Sequence, residues 1–318
     1  MYPQLFSSID VGGLTLKNRI TMAPLYLGYA GPGGTISPLL LYHYRLMAES
    51  GAAMIVVENA TVDHPVASGS DRTIRADTDE NLEGLSRLAE TIKKEGALAC
   101  LQINHAGRFA GIDKPVAPSA VETFGKIPHA LAKDEIDQIA DKFSRAALRV
   151  KTAGFDMVEL HGGTGYLLAQ FLSPHTNKRN DEFGGALENR QKFPLLVLSR
   201  VKSATGDFPV GYRFLADEWL PDGLKPQESV NFAEALENAG IAYISVMGGT
   251  YESFFRPEVV VKSKNEAYMA DLSAAVKDKV NVPVITAGRI KDGRVAEQVI
   301  ADGKADLVGL ARVLWADP

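Results

Sequence analysis

Cysteine is almost absent: Cys100 is the only one in 318 residues. One thiol excludes an internal disulfide, a cysteine zinc site and an iron–sulfur cluster within this stretch. Long apolar runs are missing as well. Ala52–Val57 and Phe193–Leu198 are the longest kind present, well short of the ~18 residues that read as a membrane-crossing helix. Met1–Asp10 lacks the basic head and apolar core of a secretory signal. A cytoplasmic location is therefore expected, with no membrane partner. There is no large excess of one charge: 34 Lys+Arg face 39 Asp+Glu, a net charge of −5, with a pI of about 5.8. That carries no nucleic-acid footprint. The six histidines form neither H-x-x-x-H nor H-E-x-x-H, so no metal site is expected. G-x-S-x-G, the nucleophile elbow of many serine hydrolases, is absent.

What is present is alternation. Short β-branched apolar runs occur at Ile20–Leu25, Ala53–Ala60, Leu98–His105, Asp156–Gly162, Val210–Leu215, Tyr243–Gly249, Pro283–Gly288 and Asp306–Arg312. Amphipathic stretches separate them: Ser37–Glu49, Asn81–Lys94, Lys133–Thr152, Glu188–Ala204, Pro226–Asn238, Glu266–Val280 and Asp292–Ala301. Gly51, Gly96, Gly154, Gly240 and Gly303 stand between helix and strand, where a left-handed cap favours glycine. Strands bracketed by helices are parallel and covered on both faces. Eight such units predict an α/β fold of the (β/α)8, or TIM, barrel type, with residues 1–318 as one domain. The competing open doubly wound sheet needs G-x-G-x-x-G after its first strand, and the first strand here runs into Ala23-Pro24-Leu25-Tyr26. Only Val313–Pro318 follow the eighth strand, too few for an eighth helix. The expectation is therefore a barrel lacking that helix, from the N-terminal part of a longer polypeptide.

Barrel chemistry sits at the C-terminal strand ends. Strand two ends in Glu58, Asn59 and Ala60, and strand three in Gln102, Asn104, His105 and Arg108. Strands seven and eight end in Gly288-Arg289 and in Gly309-Leu310-Ala311-Arg312. Glycine and arginine at these two ends predict a phosphate-bearing ligand, because backbone N–H groups and cations meet anions there. Gln102 offers a donor and an acceptor to a planar amide heterocycle. Arg213 can stabilise negative charge on such a ring. Tyr166 can give a proton, with His161 on the same strand end. The plainer reading is an interior polar layer and a tyrosine packed under a loop.

These residues lie inside longer motifs. They are Leu16-Lys17-Asn18-Arg19-Ile20 with Ala23-Pro24, then Gln102-Ile103-Asn104-His105-Ala106-Gly107-Arg108, then Ala117-Pro118-Ser119. Gly165-Tyr166-Leu167-Leu168-Ala169-Gln170-Phe171-Leu172-Ser173-Pro174 follows, continued by Asn177, by Arg179 to Arg190 and by Gly309–Arg312. Over essentially its whole length the chain resembles the old yellow enzyme family of FMN-dependent ene-reductases. That family's fold is an FMN-binding barrel, in agreement with the strand count. The resemblance implies that Ala23, Pro24, Leu25 and Ala60 line the isoalloxazine and that Gln102 bonds its pyrimidine edge. It implies Arg213 near N1 and O2, and Gly288, Arg289, Gly309, Ala311 and Arg312 around the phosphate. Tyr166 is the implied proton donor, and hydride passes from flavin N5 to a β-carbon.

Three positions depart from the family pattern. His161 and Thr164 stand where a His–His or His–Asn pair usually grips the substrate carbonyl. Tyr26 stands where Cys or Thr is common near flavin C4=O and N5, so it counts as both ring and substrate contact. Tyr251 stands where the dienoyl-CoA reductase branch places a catalytic histidine. The resemblance is nearest to 2,4-dienoyl-CoA, 2-enoate and aryl-CoA reductases. It implies a small-molecule substrate such as a CoA thioester, NAD(P)H as electron donor and a homo-oligomer. It also implies a 4Fe-4S cluster and FAD in a C-terminal part outside this chain. Two alternatives stay open: a flavin-dependent amine or alicyclic dehydrogenase, and a non-redox barrel binding a phosphate ligand.

Overall fold

Eight apolar strands buried on both faces leave no edge for water only if the sheet closes on itself. The computed structural model describes residues 2–318. Its barrel strands are β1 (Ile20–Met22), β2 (Met54–Thr61), β3 (Leu98–Asn104), β4 (Met157–Gly162), β5 (Val210–Asp217), β6 (Tyr243–Gly248), β7 (Val284–Thr286) and β8 (Leu307–Leu310). They pair in chain order, all parallel, and β8 returns to β1 through Val308↔Ile20 and Leu310↔Met22. The connecting helices are α1 (Pro38–Glu49), α2 (Leu82–Lys94), α3 (Lys133–Thr152), α4 (Lys192–Thr205), α5 (Pro226–Asn238), α6 (Ala270–Lys277) and α7 (Gly293–Ala301). Arg312–Ala316 adds a five-residue helix after β8. No helix among the described residues is long and apolar enough to cross a membrane.

The expected barrel is observed, and the five glycine caps carry φ between +70° and +85°. Strand ends differ for local reasons. β1 stops at Met22 rather than Leu25, because Pro24 has no N–H for the ladder. β8 stops at Leu310, where the chain turns into the helix that starts at Arg312. Helix α3 shows why the outer layer forms. Ile136, Ile139, Ala140, Phe143, Ala147 and Val150 recur at three- and four-residue spacing and are buried. The Glu135 carboxylate accepts from the Ala132 N–H at 2.7 Å, which satisfies a free donor at the helix start. Truncating the fully buried Phe143 to Ala costs about 3–5 kcal/mol.

The barrel is sealed at its N-terminal end. An antiparallel hairpin, Ile9–Val11 with Leu14–Leu16, places Val11 and Leu16 in one buried cluster with Met54, Val56, Cys100, Met157, Ile285 and Leu307. Its turn fits tightly: Gly12 has φ +59°, and a Cβ there would lie 2.8 Å from Ala242 Cβ. The apolar floor leaves the C-terminal strand ends as the open face.

Candidate active site

Above the floor the interior turns polar. Glu159 on β4 has no exposed surface. Its Oε1 accepts from Gln102 Nε2 at 2.7 Å and its Oε2 from the Tyr243 hydroxyl at 2.9 Å. One inward step higher, Arg213 pairs in register with His161 on one side and Ser245 on the other. Arg213 Nη1 donates to Ser245 Oγ at 2.7 Å. His161 Nδ1 accepts from the Gly163 N–H at 3.2 Å. A backbone N–H only donates, so the imidazole proton sits on Nε2. Burial, then the Arg213 charge, pushes the His161 pKa well below its usual range, and the ring is neutral.

The loop after β4 delivers a phenol to this spot. Thr164 and Gly165 have φ of +58° and +84°, and this left-handed pair brings Tyr166 to the start of the short helix Leu167–Leu172. The Tyr166 ring lies 4.8 Å from the His161 ring, edge to face. Its hydroxyl is 2.7 Å from that of Tyr251. Tyr166 is 9% exposed and Tyr251 38%, so the pair runs from the interior to solvent. Burial first, then Tyr251 and Tyr26, raises the Tyr166 pKa well above that of a free phenol. The two phenols, with Tyr26, Asn59, Ser70 and Phe109, line a cavity of about 220 Å³. Tyr26 hydrogen-bonds Ser70 through its hydroxyl. The loop carrying Tyr26 is held by Glu58, whose Oε2 accepts from the Leu27 N–H at 2.7 Å. Burial lifts the Glu58 pKa to about 7, against the pull of the Leu27 and Gly28 N–H groups.

The loops of β3 to β6 are laced together. Gln170 Nε2 donates to Gly165 O at 2.8 Å, and its Oε1 accepts from the Arg108 N–H at 3.2 Å. The buried Arg108 guanidinium pairs with Glu252, next to Tyr251. Glu252 also lies 3.4 Å from His175 Nε2, and His175 Nδ1 lies 3.0 Å from Asp222. Glu252 is the main reason the His175 pKa rises to about 9. On the β7–β8 side, Arg289 and Arg312 are exposed. Neither side chain forms an ion pair or hydrogen bond among the described residues, whereas arginines elsewhere in the chain, such as Arg108, Arg179 and Arg190, are paired. Arg289 has φ +57° and follows Gly288 at +98°.

Most residues singled out from the sequence meet at this face. Tyr26, Tyr166 and Tyr251 share the cavity, with His161 against Tyr166. Gln102 and Arg213 lie in the barrel interior. Ala23, just past β1, faces Gly309 on β8, where a Cβ would lie 3.3 Å from Ala23 Cβ; Pro24 and Leu25 follow, half-buried. Two residues sit otherwise. Ala60, expected at the ring, is fully buried with Ile74 and Ile103 in the cluster beneath the helices. The cause is a bulge: the register to β3 slips between Val57 and Ala60, and one extra residue reverses which side chains face inward. Thr164, expected at the substrate carbonyl, turns its hydroxyl to Met247 Sδ at 3.5 Å and does not line the cavity. The same bulge brings Asn59 into the cavity. Phe109, Ser70 and Glu252 were not selected from the sequence. Phe109 and Glu252 each adjoin a selected position, whereas Ser70 lies in a loop with no pattern of its own.

Comparison with known proteins identifies the family and the fold. The model of the NADH:flavin oxidoreductase / NADH oxidase family matches residues 4–318. The chain is 41% identical over 326 residues to an NADH oxidase of Thermoanaerobacter brockii, covering 100% of this chain and 50% of that protein. It is 35% identical to an NADPH dehydrogenase of Halalkalibacterium halodurans, covering 100% of this chain and 93% of the relative. Its fold matches a 2-naphthoyl-CoA reductase in complex with 2-naphthoyl-CoA at TM-score 0.94 and 27% identity, over 100% of this chain and 51% of that one. The chain thus spans about half the length of two of these proteins. With its closed parallel barrel and the family match over almost every residue, the chain belongs to the NADH:flavin oxidoreductase / NADH oxidase family, that of old yellow enzyme.

Proposed function

We propose that this barrel binds FMN noncovalently and reduces an activated carbon–carbon double bond, with electrons from NADH or NADPH. The reading is carried by one observation: a buried neutral phenol, hydrogen-bonded to an exposed one, lies against a neutral imidazole above a polar barrel interior. The donor set fits FMN. Arg289 and Arg312, unpaired, with the backbone of Gly288, Gly309 and Ala311, suit a phosphate. Gln102 suits the amide edge of the ring and Arg213 its negative charge, while Ala23, Pro24, Leu25 and Tyr26 offer a wall. Cys100, the single thiol, is buried beside Tyr243, so no cysteine stands at the mouth for covalent attachment. When bound, FMN supplies the two-electron chemistry, a hydride from N5 to the β-carbon.

The chain's own residues handle the charge and the proton. His161 Nε2–H donates to the substrate carbonyl oxygen as negative charge builds there. The raised pKa of Tyr166 keeps its proton in place until the α-carbon becomes basic enough to take it. Tyr251 then passes its proton to Tyr166 and regains one from water. Tyr251 and Tyr26 also contact the substrate. The aromatic cavity suits a flat conjugated acyl group, and the likeness to the 2-naphthoyl-CoA reductase supports a CoA thioester over a simple enone. Electrons arrive from NAD(P)H directly, or through a 4Fe-4S cluster and FAD in a longer polypeptide. Anaerobic mixing of the FMN-loaded 318-residue chain with NADH separates the two: bleaching of the flavin means direct transfer. Reoxidation of the reduced protein by an enoyl-CoA supports the proposed reaction. Bleaching by an amine, with no reaction toward enoyl-CoA or enone, would replace it with an amine dehydrogenase.

A further inference from the structure

One buried ionisable group takes no part in the chemistry above. Gln102, Glu159, Gly211 and Tyr243 stand side by side in register on β3, β4, β5 and β6. Tyr243 is two strands from Glu159. It reaches Glu159 Oε2 because β5 carries no side chain at this level: a Cβ on Gly211 would lie 2.1 Å from Tyr243 Cζ. Burial raises the Glu159 pKa, while the Arg213 charge above it and a donor on each oxygen pull it back toward the carboxylate. Burying a carboxylate is costly even when it is paired, and an apolar side chain of similar size usually serves packing as well or better. The arrangement therefore calls for a reason beyond closing the barrel.

Gln102 supplies that reason. An amide can turn over and exchange its oxygen for its nitrogen with little change in shape. A carboxylate that only accepts commits the Gln102 nitrogen to Glu159. The amide oxygen and one remaining N–H are then left, in a fixed order, for a ligand. We propose that Glu159 is a positioning residue for the cofactor: it locks the Gln102 amide in the orientation that reads the flavin's pyrimidine edge, and its charge offsets Arg213 beneath the ring. This rests on the reading that the barrel binds FMN. Removing the Glu159 charge leaves the Arg213 cation uncompensated, which favours added negative charge nearby. The midpoint potential of bound FMN then rises.

The test uses the 318-residue chain with FMN as probe, reading its dissociation constant by fluorescence quenching and its midpoint potential by anaerobic titration. Glu159→Gln is expected to weaken oxidised FMN about tenfold. It is also expected to shift the ratio of reduced to oxidised affinity about tenfold, a rise of about 30 mV for a two-electron couple. In a Gln102→Ala background the same substitution leaves the dissociation constant unchanged, because its effect runs through the amide. If Glu159→Gln does not fold, Glu159→Asp carries the test. It keeps the charge but is too short to hold both donors, so it weakens FMN without raising the potential. Wild-type affinity and potential in a folded Glu159→Gln protein overturn the proposal. So does an equal loss of affinity with and without Gln102. A wild-type chain that binds no FMN removes the cofactor reading itself, and this proposal with it.

Discussion

The two sides of the barrel mouth treat their charges in opposite ways. On the β3–β6 side, Arg108, Glu252, His175 and Asp222 are linked, and Gln170 stitches two loops at Gly165 and Arg108. On the β7–β8 side, Arg289 and Arg312 stand exposed with no partner in the chain among the described residues. A laced network holds side chains in place, so that side suits proton transfer, which needs donor and acceptor held within hydrogen-bond reach, about 2.6–3.2 Å. A pair of uncommitted cations suits a mobile anion, which supplies the missing charge when it binds. Under the proposed function, the difference puts the chemistry on one side and cofactor retention on the other.

The sharpest way to test that division is Tyr166→Phe. Substrate-driven reoxidation of reduced flavin is expected to slow by ~10²–10⁴-fold, the usual worth of a positioned general acid. Flavin reduction by the electron donor stays near wild type in stopped-flow absorbance. Next in size is Glu252→Ala, which strands the buried Arg108 guanidinium. Breaking a buried pair from one side costs about 3 kcal/mol or more, read as a lower denaturant midpoint. Arg312→Ala on the other side leaves that midpoint unchanged. Instead it weakens FMN by about 10–100-fold, through loss of a charge-assisted contact of roughly 1.5–3 kcal/mol.

The last effect concerns pH. The folded-state pKa of His175 is raised to about 9 from 6.5. Between those values the folded chain holds more protons than the unfolded one, so stability falls as pH rises. The stabilisation is complete below pH about 6.5 and is lost as pH climbs through about 9. Melting temperature is expected to decline over that window, and His175→Asn should flatten the decline.

The barrel was legible because its signals are local. Apolar runs, amphipathic stretches and glycines such as Gly51 and Gly154 repeat in a fixed order, and each is satisfied by its own neighbours. Arg108, Tyr166 and Gln102 were legible because they occupy strand ends or motifs. The orientation of Ala60 was not. The bulge at Glu58–Asn59 adds one residue to a run, M-I-V-V-E-N-A-T, whose pattern carries no mark of it. The direction of Thr164 was not legible either: its φ of +58° sits in a loop where the next residue, Gly165, has Phe109 and Thr250 within 3.2 Å of where a Cβ would stand. The ion pairs joining Arg108 to Glu252 and His175 to Asp222 span 144 and 47 positions, and no short pattern links such partners. The Gly12-Gly13 turn between alternating residues was readable as a hairpin, but an eight-strand count is complete without it.

The most direct test of the account compares FMN with riboflavin, which has the same ring and no phosphate, in binding to the wild-type chain and to Arg312→Ala. The account predicts one FMN per chain, riboflavin at least tenfold weaker in the wild type, and a much smaller difference between the two in the variant. Riboflavin binding as tightly as FMN to the wild-type chain, or neither binding at all, would contradict it.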